Sequence, residues 1–233
     1  MEIKKYREDI YAFEDEGVRS FLLLGRNQAL IVDSGYGNYD LIKAARGITA
    51  LPLIFVNTHS DVDHTGSNNA FEEIYVHEQE LSLLKERRPD DSARYLTVSD
   101  GFLFDLGGIS WKVIHCPGHT PGSISLFDEP GRTLLTGDTV SEEGIYLFGE
   151  ARNHKDYRET LKKLITYDSL ADTILPSHGT CPLTGLKELS QDLLAALDRY
   201  EQGEPEDEVR ELWPGTTVKV YRFGRGCLFT EAV

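Results

Sequence analysis

The 233-residue chain carries 39 acidic against 24 basic side chains, a formal charge of −15, with 40% apolar and 27% charged residues. That balance excludes a disordered chain, and the longest apolar stretches, 21–24 and 29–32, fall far short of the ~20 residues of a membrane span. So acidic a surface repels nucleic acid and anionic membranes, which excludes both as partners. The length suggests a single domain, residues 1–233, able to bury roughly 70–75% of its unfolded surface without a staple. Residues 1–9 hold no hydrophobic signal core, and three cysteines, Cys116, Cys181 and Cys227, do not make a disulfide framework. Both features point to the cytoplasm.

In chain order, residues 18–24 and 28–33 read as strands joined by a turn at Gly25, Arg26 and Asn27. A loop follows from Ser34, and Asn38 is placed to cap a helix over 39–46. Residues 52–57 form a continuous apolar run of the kind buried strands show. A short helix at 68–72, a strand at 74–77 and a helix at 78–87 come next. From 95 to 135 the pattern is β, with strands at 111–114, 123–127 and 132–135. Helices follow at 154–167 and 183–200, with a short strand at 173–175 between them. Residues 201–208 form an acidic linker, and strands at 216–221 and 226–230 close the chain. Strands and helices in this succession predict an α/β sandwich of two mainly antiparallel sheets with helices outside.

The densest chemical signal is Thr58-His59-Ser60-Asp61-Val62-Asp63-His64-Thr65-Gly66, directly after the apolar run. Four ligand-type residues fall within six positions. In extended chain His59, Asp61 and Asp63 share one face, and a turn supplied by Thr65-Gly66 would bring His64 round. One segment of this kind can serve two adjacent metal ions. Three later segments repeat the theme of a strand end followed by a ligand-type residue beside glycine. They carry His119 between Gly118 and Thr120, Asp138 after Gly137, and His178 before Gly179. Strand ends are where a rigid scaffold assembles a site.

These motifs, in this order over roughly residues 12–179, resemble the metallo-β-lactamase superfamily of metal-dependent hydrolases. The resemblance implies an αββα sandwich, in agreement with the pattern above. It implies that His59, Asp61 and His119 bind a first divalent ion, that Asp63, His64 and His178 bind a second, and that Asp138 bridges them. Asp63 and Asp138 would be the catalytic carboxylates. Asp33, in Leu30-Ile31-Val32-Asp33-Ser34-Gly35, would be a buried residue that orients ligands, although a turn-capping aspartate reads equally well there. One departure stands out: the superfamily usually has histidine where this chain has Asp61. Flavodiiron proteins, with glutamate there, show that a carboxylate is compatible with metal. The cofactors implied are therefore two divalent ions, zinc by family habit, with iron or manganese favoured by the harder carboxylate.

Two divalent ions ~3.5–4 Å apart can share a water, lower its pKa and polarise the attacked oxygen. The chain has no Gly-x-Ser-x-Gly nucleophile motif. The expected activity is hydrolysis of a small ester, thioester or lactone metabolite, with residues 141–153 shaping the pocket. The competing readings are a non-haem iron oxygenase of the same fold, resembling persulfide dioxygenases, and a metal-binding sensor without activity. His77 and His115 read as structural, and His154 as structural or pocket-lining. The cysteines read as small buried hydrophobes. Nothing in the sequence fixes the oligomeric state.

Overall fold

The computed structural model describes residues 1–232, which divide into two units, Met1–His115 with Ile124–Gly131, and Cys116–Ser123 with the chain from Arg132 onward. In the first unit, β1 (Glu2–Arg7), β2 (Ile10–Asp15), β3 (Val18–Leu24) and β4 (Ala29–Val32) pair antiparallel in sequence order. The direction then changes. α1 (Leu41–Arg46) carries the chain to β5 (Leu53–Val56), which lies parallel to β4. β6 (Glu73–His77) is parallel to β5, and α2 (Leu81–Arg87) leads to β7 (Arg94–Val98), parallel to β6. The seven strands form one sheet in chain order.

That sheet is mixed rather than mainly antiparallel. Tight turns return the chain between β1 and β4, whereas the later connections contain helical segments that cross back over the sheet. β3 and β4 are almost continuously buried, as central strands covered on both faces must be. Leu41 and Ala45 of α1 pack on Phe13, Leu22, Ile31, Phe55 and Ile74. Burying an aliphatic or aromatic side chain contributes about 1.5–3 kcal/mol, so this cluster stabilises the sheet that leads into the 58–66 segment. β1 and β2 escape the sequence pattern because Lys4, Lys5, Arg7 and Glu14 interrupt it. The α1 cap also differs from expectation. Asp40 caps it, accepting from the Lys43 amide at 2.9 Å, while Asn38 donates to Asp15 at 3.4 Å. The same unit contains β8 (Leu103–Asp105), β9 (Ser110–His115) and β10 (Ile124–Asp128), all antiparallel.

The second unit holds β11 (Thr133–Gly137), β12 (Ile145–Tyr146), α3 (His154–Ile165), β13 (Thr173–Pro176), α4 (Leu186–Glu201), β14 (Glu208–Trp213), β15 (Thr216–Phe223) and β16 (Gly226–Glu231). Asn153 caps α3 by accepting from the Asp156 amide at 3.0 Å. β13 pairs parallel with β11 after the α3 crossover. A further sheet runs β12-β16-β15-β14, with α4 against β15 and β16. Leu186, Leu189, Leu193 and Leu197 are the buried side of α4. β14 is an edge strand of alternating half-buried and exposed residues, in a stretch whose charges hide it from pattern reading. No helix among the described residues is long and apolar enough to cross a membrane.

Candidate metal centre

Each unit presents one group of the sequence-predicted residues. The first has His59, Asp61, Asp63 and His64, in the connection that follows β5. β5 ends at Val56, and Asn57 continues it by donating its amide to Tyr75 O at 3.0 Å. The chain then folds back. The His64 amide donates to Asp61 O at 3.0 Å, and Thr65 Oγ1 donates to the same carbonyl at 3.1 Å. The reversal therefore falls at 61–64, one step earlier than the expected Thr65-Gly66 turn, because Asp61 O offers an acceptor that two donors reach. It brings the His59 and His64 rings to 4.1 Å between centroids.

A polar network locks this loop. His64 O accepts from Ser34 N at 2.9 Å, Ser34 Oγ at 3.2 Å and Asn57 Nδ2 at 3.0 Å. Asn57 and Asn68 exchange side-chain hydrogen bonds at 3.3 and 3.0 Å, and both, like Ser34, are fully buried. Gly66 is required by close approach, since a Cβ there would lie 2.1 Å from the Tyr36 carbonyl carbon. Buried polar groups satisfied to this degree rigidify a site.

Asp33, buried and at φ 61°, directs two of the histidines. Its Oδ1 accepts from Thr58 N at 2.7 Å, and its Oδ2 accepts from Thr58 Oγ1 at 2.7 Å and from His64 Nδ1 at 2.8 Å. A carboxylate only accepts, so Nδ1 of His64 bears the proton and Nε2 presents its lone pair. The Thr58 hydroxyl, having donated to Asp33, accepts from His59 Nδ1 at 3.0 Å, which leaves the His59 Nε2 lone pair available as well. His59 Nε2 lies 3.6 Å from Asp61 Oδ2, and His64 Nε2 lies 3.6 Å from Asp63 Oδ2. Asp33 thus orients the imidazoles of His64 and, through Thr58, His59, and is not merely a turn cap.

In the second unit, His119 sits in a loop closed by Cys116 N to Ser123 O at 2.7 Å and by Thr120 N to Ser123 Oγ at 3.1 Å. α3 clamps that loop: Thr160 Oγ1 donates to Pro117 O at 2.7 Å, and Asn153 N to Gly118 O at 2.8 Å. Gly118 has φ 132°, and a Cβ there would meet Tyr157 Cα at 2.4 Å, so only glycine fits. His119 Nδ1 donates to Tyr146 O at 3.0 Å, again leaving Nε2 for a ligand. Asp138 and His178 follow the C-terminal ends of the parallel neighbours β11 and β13, joined there by Ser177 N to Gly137 O at 3.1 Å. Asp138 Oδ2 lies 3.8 Å from His119 Nε2 and 3.4 Å from His178 Nε2.

These four carboxylate–imidazole distances are too long for strong hydrogen bonds and suit two donors on one ion. Ligands held ~2.0–2.2 Å from a tetrahedral ion lie about 3.4 Å apart. Histidine that donates its second nitrogen to a carboxylate or carbonyl is the usual partner arrangement around metals. The donor set, imidazole plus carboxylate, fits divalent transition metals. Sequence reading missed Ser34, Asn57, Asn68 and Arg87, whose contributions come through backbone atoms or long-range pairs; Tyr146, in the 141–153 stretch expected to shape the pocket, contributes through its carbonyl. His154 Nε2 donates to Leu147 O at 2.8 Å and packs edge-on against Tyr200, so it is a strap for the 145–148 segment. His77 caps the turn at Glu78–Glu80 and stacks on His115, as expected of structural residues.

Residues 14–178 match the family model of the metallo-beta-lactamase superfamily. An acyl-coenzyme A thioesterase MBLAC2 from Gallus gallus is 28% identical over 206 residues, covering 71% of this chain and 74% of its own. A hydroxyacylglutathione hydrolase GloC from Haemophilus influenzae is 28% identical over 134 residues, covering 50% of this chain and 63% of its own. Among solved structures, a metallo-beta-lactamase family protein from Thermus thermophilus superposes with TM-score 0.72 at 18% identity, over 90% of this chain and 86% of that one. The metallo-β-lactamase fold, an α/β sandwich, is therefore the fold of this protein. With its motifs in order and its model matched over most of its length, the chain belongs to the metallo-beta-lactamase superfamily.

Proposed function

We propose that the chain is a metal-dependent hydrolase of a small thioester, ester or lactone. In this reading His59, Asp61 and His119 would hold one divalent ion, Asp63, His64 and His178 would hold a second, and Asp138 would contribute to both. The observation that carries it is the shared geometry of three imidazoles. His59, His64 and His119 each spend Nδ1 on a fixed acceptor and present Nε2 beside a carboxylate oxygen at 3.6–3.8 Å. Family membership supports the assignment of these positions as ligands, and relatives named thioesterase and hydrolase support hydrolysis, with a thioester ranked first.

When bound, the ions supply a water acidified toward neutral pH and a Lewis acid for the substrate carbonyl. The chain's own residues do the rest. Asp63, partly exposed on the 61–64 reversal, is the carboxylate that takes a proton from the attacking water and returns it to the leaving group. Asp138 fixes the spacing of the centre. A protein nucleophile is not needed, and the buried Cys227 thiol, pushed up by burial, is a poor one. The substrate is a small molecule rather than nucleic acid, in keeping with the acidic surface, and free cysteines suit a cytoplasmic setting.

The test is elemental analysis of protein prepared without chelator and reconstituted with zinc, manganese or iron. Turnover of thioesters, esters, lactones and phosphodiesters follows. Two ions per chain and chelator-sensitive thioester cleavage are expected. Fewer than one ion per chain after reconstitution overturns the reading. Oxygen uptake with a persulfide in place of hydrolysis would reassign the chemistry to an iron oxygenase.

A further inference from the structure

We infer that Arg87, at the C-terminal end of α2, is a positioning residue that turns Asp61 into a one-oxygen, charge-compensated metal donor. Arg87 Nη1 donates to Asp61 Oδ1 at 2.5 Å and to Ser60 Oγ at 3.0 Å. The guanidinium thereby grips the ligand loop at two points. It occupies one carboxylate oxygen and leaves Oδ2 facing His59 Nε2 at 3.6 Å. Both side chains are largely shielded, with 27% and 18% exposure, so solvent weakens the pair less than it would a surface bridge. The inference rests on the metal assignment proposed above.

Two consequences follow from chemistry. With one oxygen held by the arginine, chelation of an ion through both oxygens is disfavoured, because the guanidinium competes for Oδ1 and fixes the plane of the carboxylate. Bidentate, oxygen-rich coordination is what larger and harder ions exploit. The charge count changes as well. Two divalent ions against the carboxylates of Asp61, Asp63 and Asp138 leave a single net positive charge, and a neutral histidine at 61 would leave two. The Arg87 cation restores the second. The bias toward manganese or iron expected from Asp61 alone is therefore cancelled, and the Asp61–Arg87 pair acts as a unit equivalent in charge to a neutral imidazole.

The experiment measures zinc-against-manganese selectivity by chelator-buffered competition, with elemental analysis, in four proteins: wild type, Arg87→Met, Asp61→His and Asp61→His/Arg87→Met. No substrate is needed. Arg87→Met frees Asp61 to chelate, and selectivity moves toward manganese by about tenfold or more. Asp61→His strands the Arg87 cation beside the ions and weakens zinc binding by a similar factor, whereas the double variant regains wild-type zinc affinity within about threefold. Non-additivity of this sign separates compensation from a merely structural contact, and thermal melts confirm that each variant is folded. Should Asp61→His not fold, Asp61→Asn replaces it, with the same stranded cation and the same recovery on adding Arg87→Met. Bound metal with unmoved selectivity in Arg87→Met, or strictly additive effects, overturns the role of Arg87 and leaves the metal reading intact. A wild-type chain that binds neither ion overturns both.

Discussion

Replacing Asp33 by asparagine changes one oxygen into an amino group and should reverse the donor sense of two histidines at once. In the wild type, Asp33 Oδ2 accepts from Thr58 Oγ1 at 2.7 Å and from His64 Nδ1 at 2.8 Å, while Oδ1 accepts from Thr58 N at 2.7 Å. Asparagine keeps the last bond through its carbonyl, and its amino group must then donate where the carboxylate accepted. His64 is forced to accept at Nδ1, and its proton moves to Nε2, the atom that faces Asp63. The Thr58 hydroxyl, now an acceptor from the amide, is released to donate to His59 Nδ1 at 3.0 Å. His59 therefore also carries its proton on Nε2.

Loss of an outer partner of this kind costs about 10–100-fold in metal affinity, or about 1.4–2.7 kcal/mol. All three bonds to the carboxylate also lose their charge assistance in a fully buried setting, at about 1 kcal/mol each. For a chain of this length that lowers the melting temperature by roughly 6–12 °C. Chelator competition for zinc reads the first effect, and thermal melts of the metal-free protein read the second. Asp33→Asn with zinc affinity within about threefold of wild type would refute the relay from Asp33 through Thr58 to His59 and His64.

Three further outcomes are expected. Asp138→Ala should lower turnover more than about tenfold, beyond ~1.4 kcal/mol of transition-state stabilisation, with little change in the melt; a smaller loss removes Asp138 from the centre. Burial, then the imidazole of His115 stacked at 3.8 Å, pushes His77 down to about 4, against the pull of Glu78, Glu80 and Asp100. Between about pH 4 and 6.5 the unfolded chain binds a proton that the folded one refuses, so stability rises with pH across that window and falls on acidification by about 2–3 kcal/mol. Melting curves of wild type and His77→Gln should converge toward pH 4 if this is right, and parallel curves would refute it. Arg87→Met should shift metal selectivity toward manganese, as read by the competition assay.

The amino-acid sequence by itself determined where the ligand-type residues stand. Apolar runs such as 53–56 and 133–135 end abruptly in His, Asp and Gly, because a buried strand must emerge at the sheet edge before it can carry a polar group. That signal is local, so all seven candidate ligands, the α3 and α4 helices and the closing hairpin were legible from it. What joins distant segments was not. Asp33 could be assigned between turn cap and ligand orienter only when Thr58 and His64, 25 and 31 residues away, were found on its oxygens. The reversal at 61–64 depends on which donors reach Asp61 O, and the parallel order of β4 to β7 on which face each crossover takes. Arg87 carries no mark in the sequence, where it is simply the last residue of the helix read at 78–87. Only the tertiary structure sets its guanidinium on Asp61, because an ion pair between residues 26 positions apart is decided by how the chain between them folds.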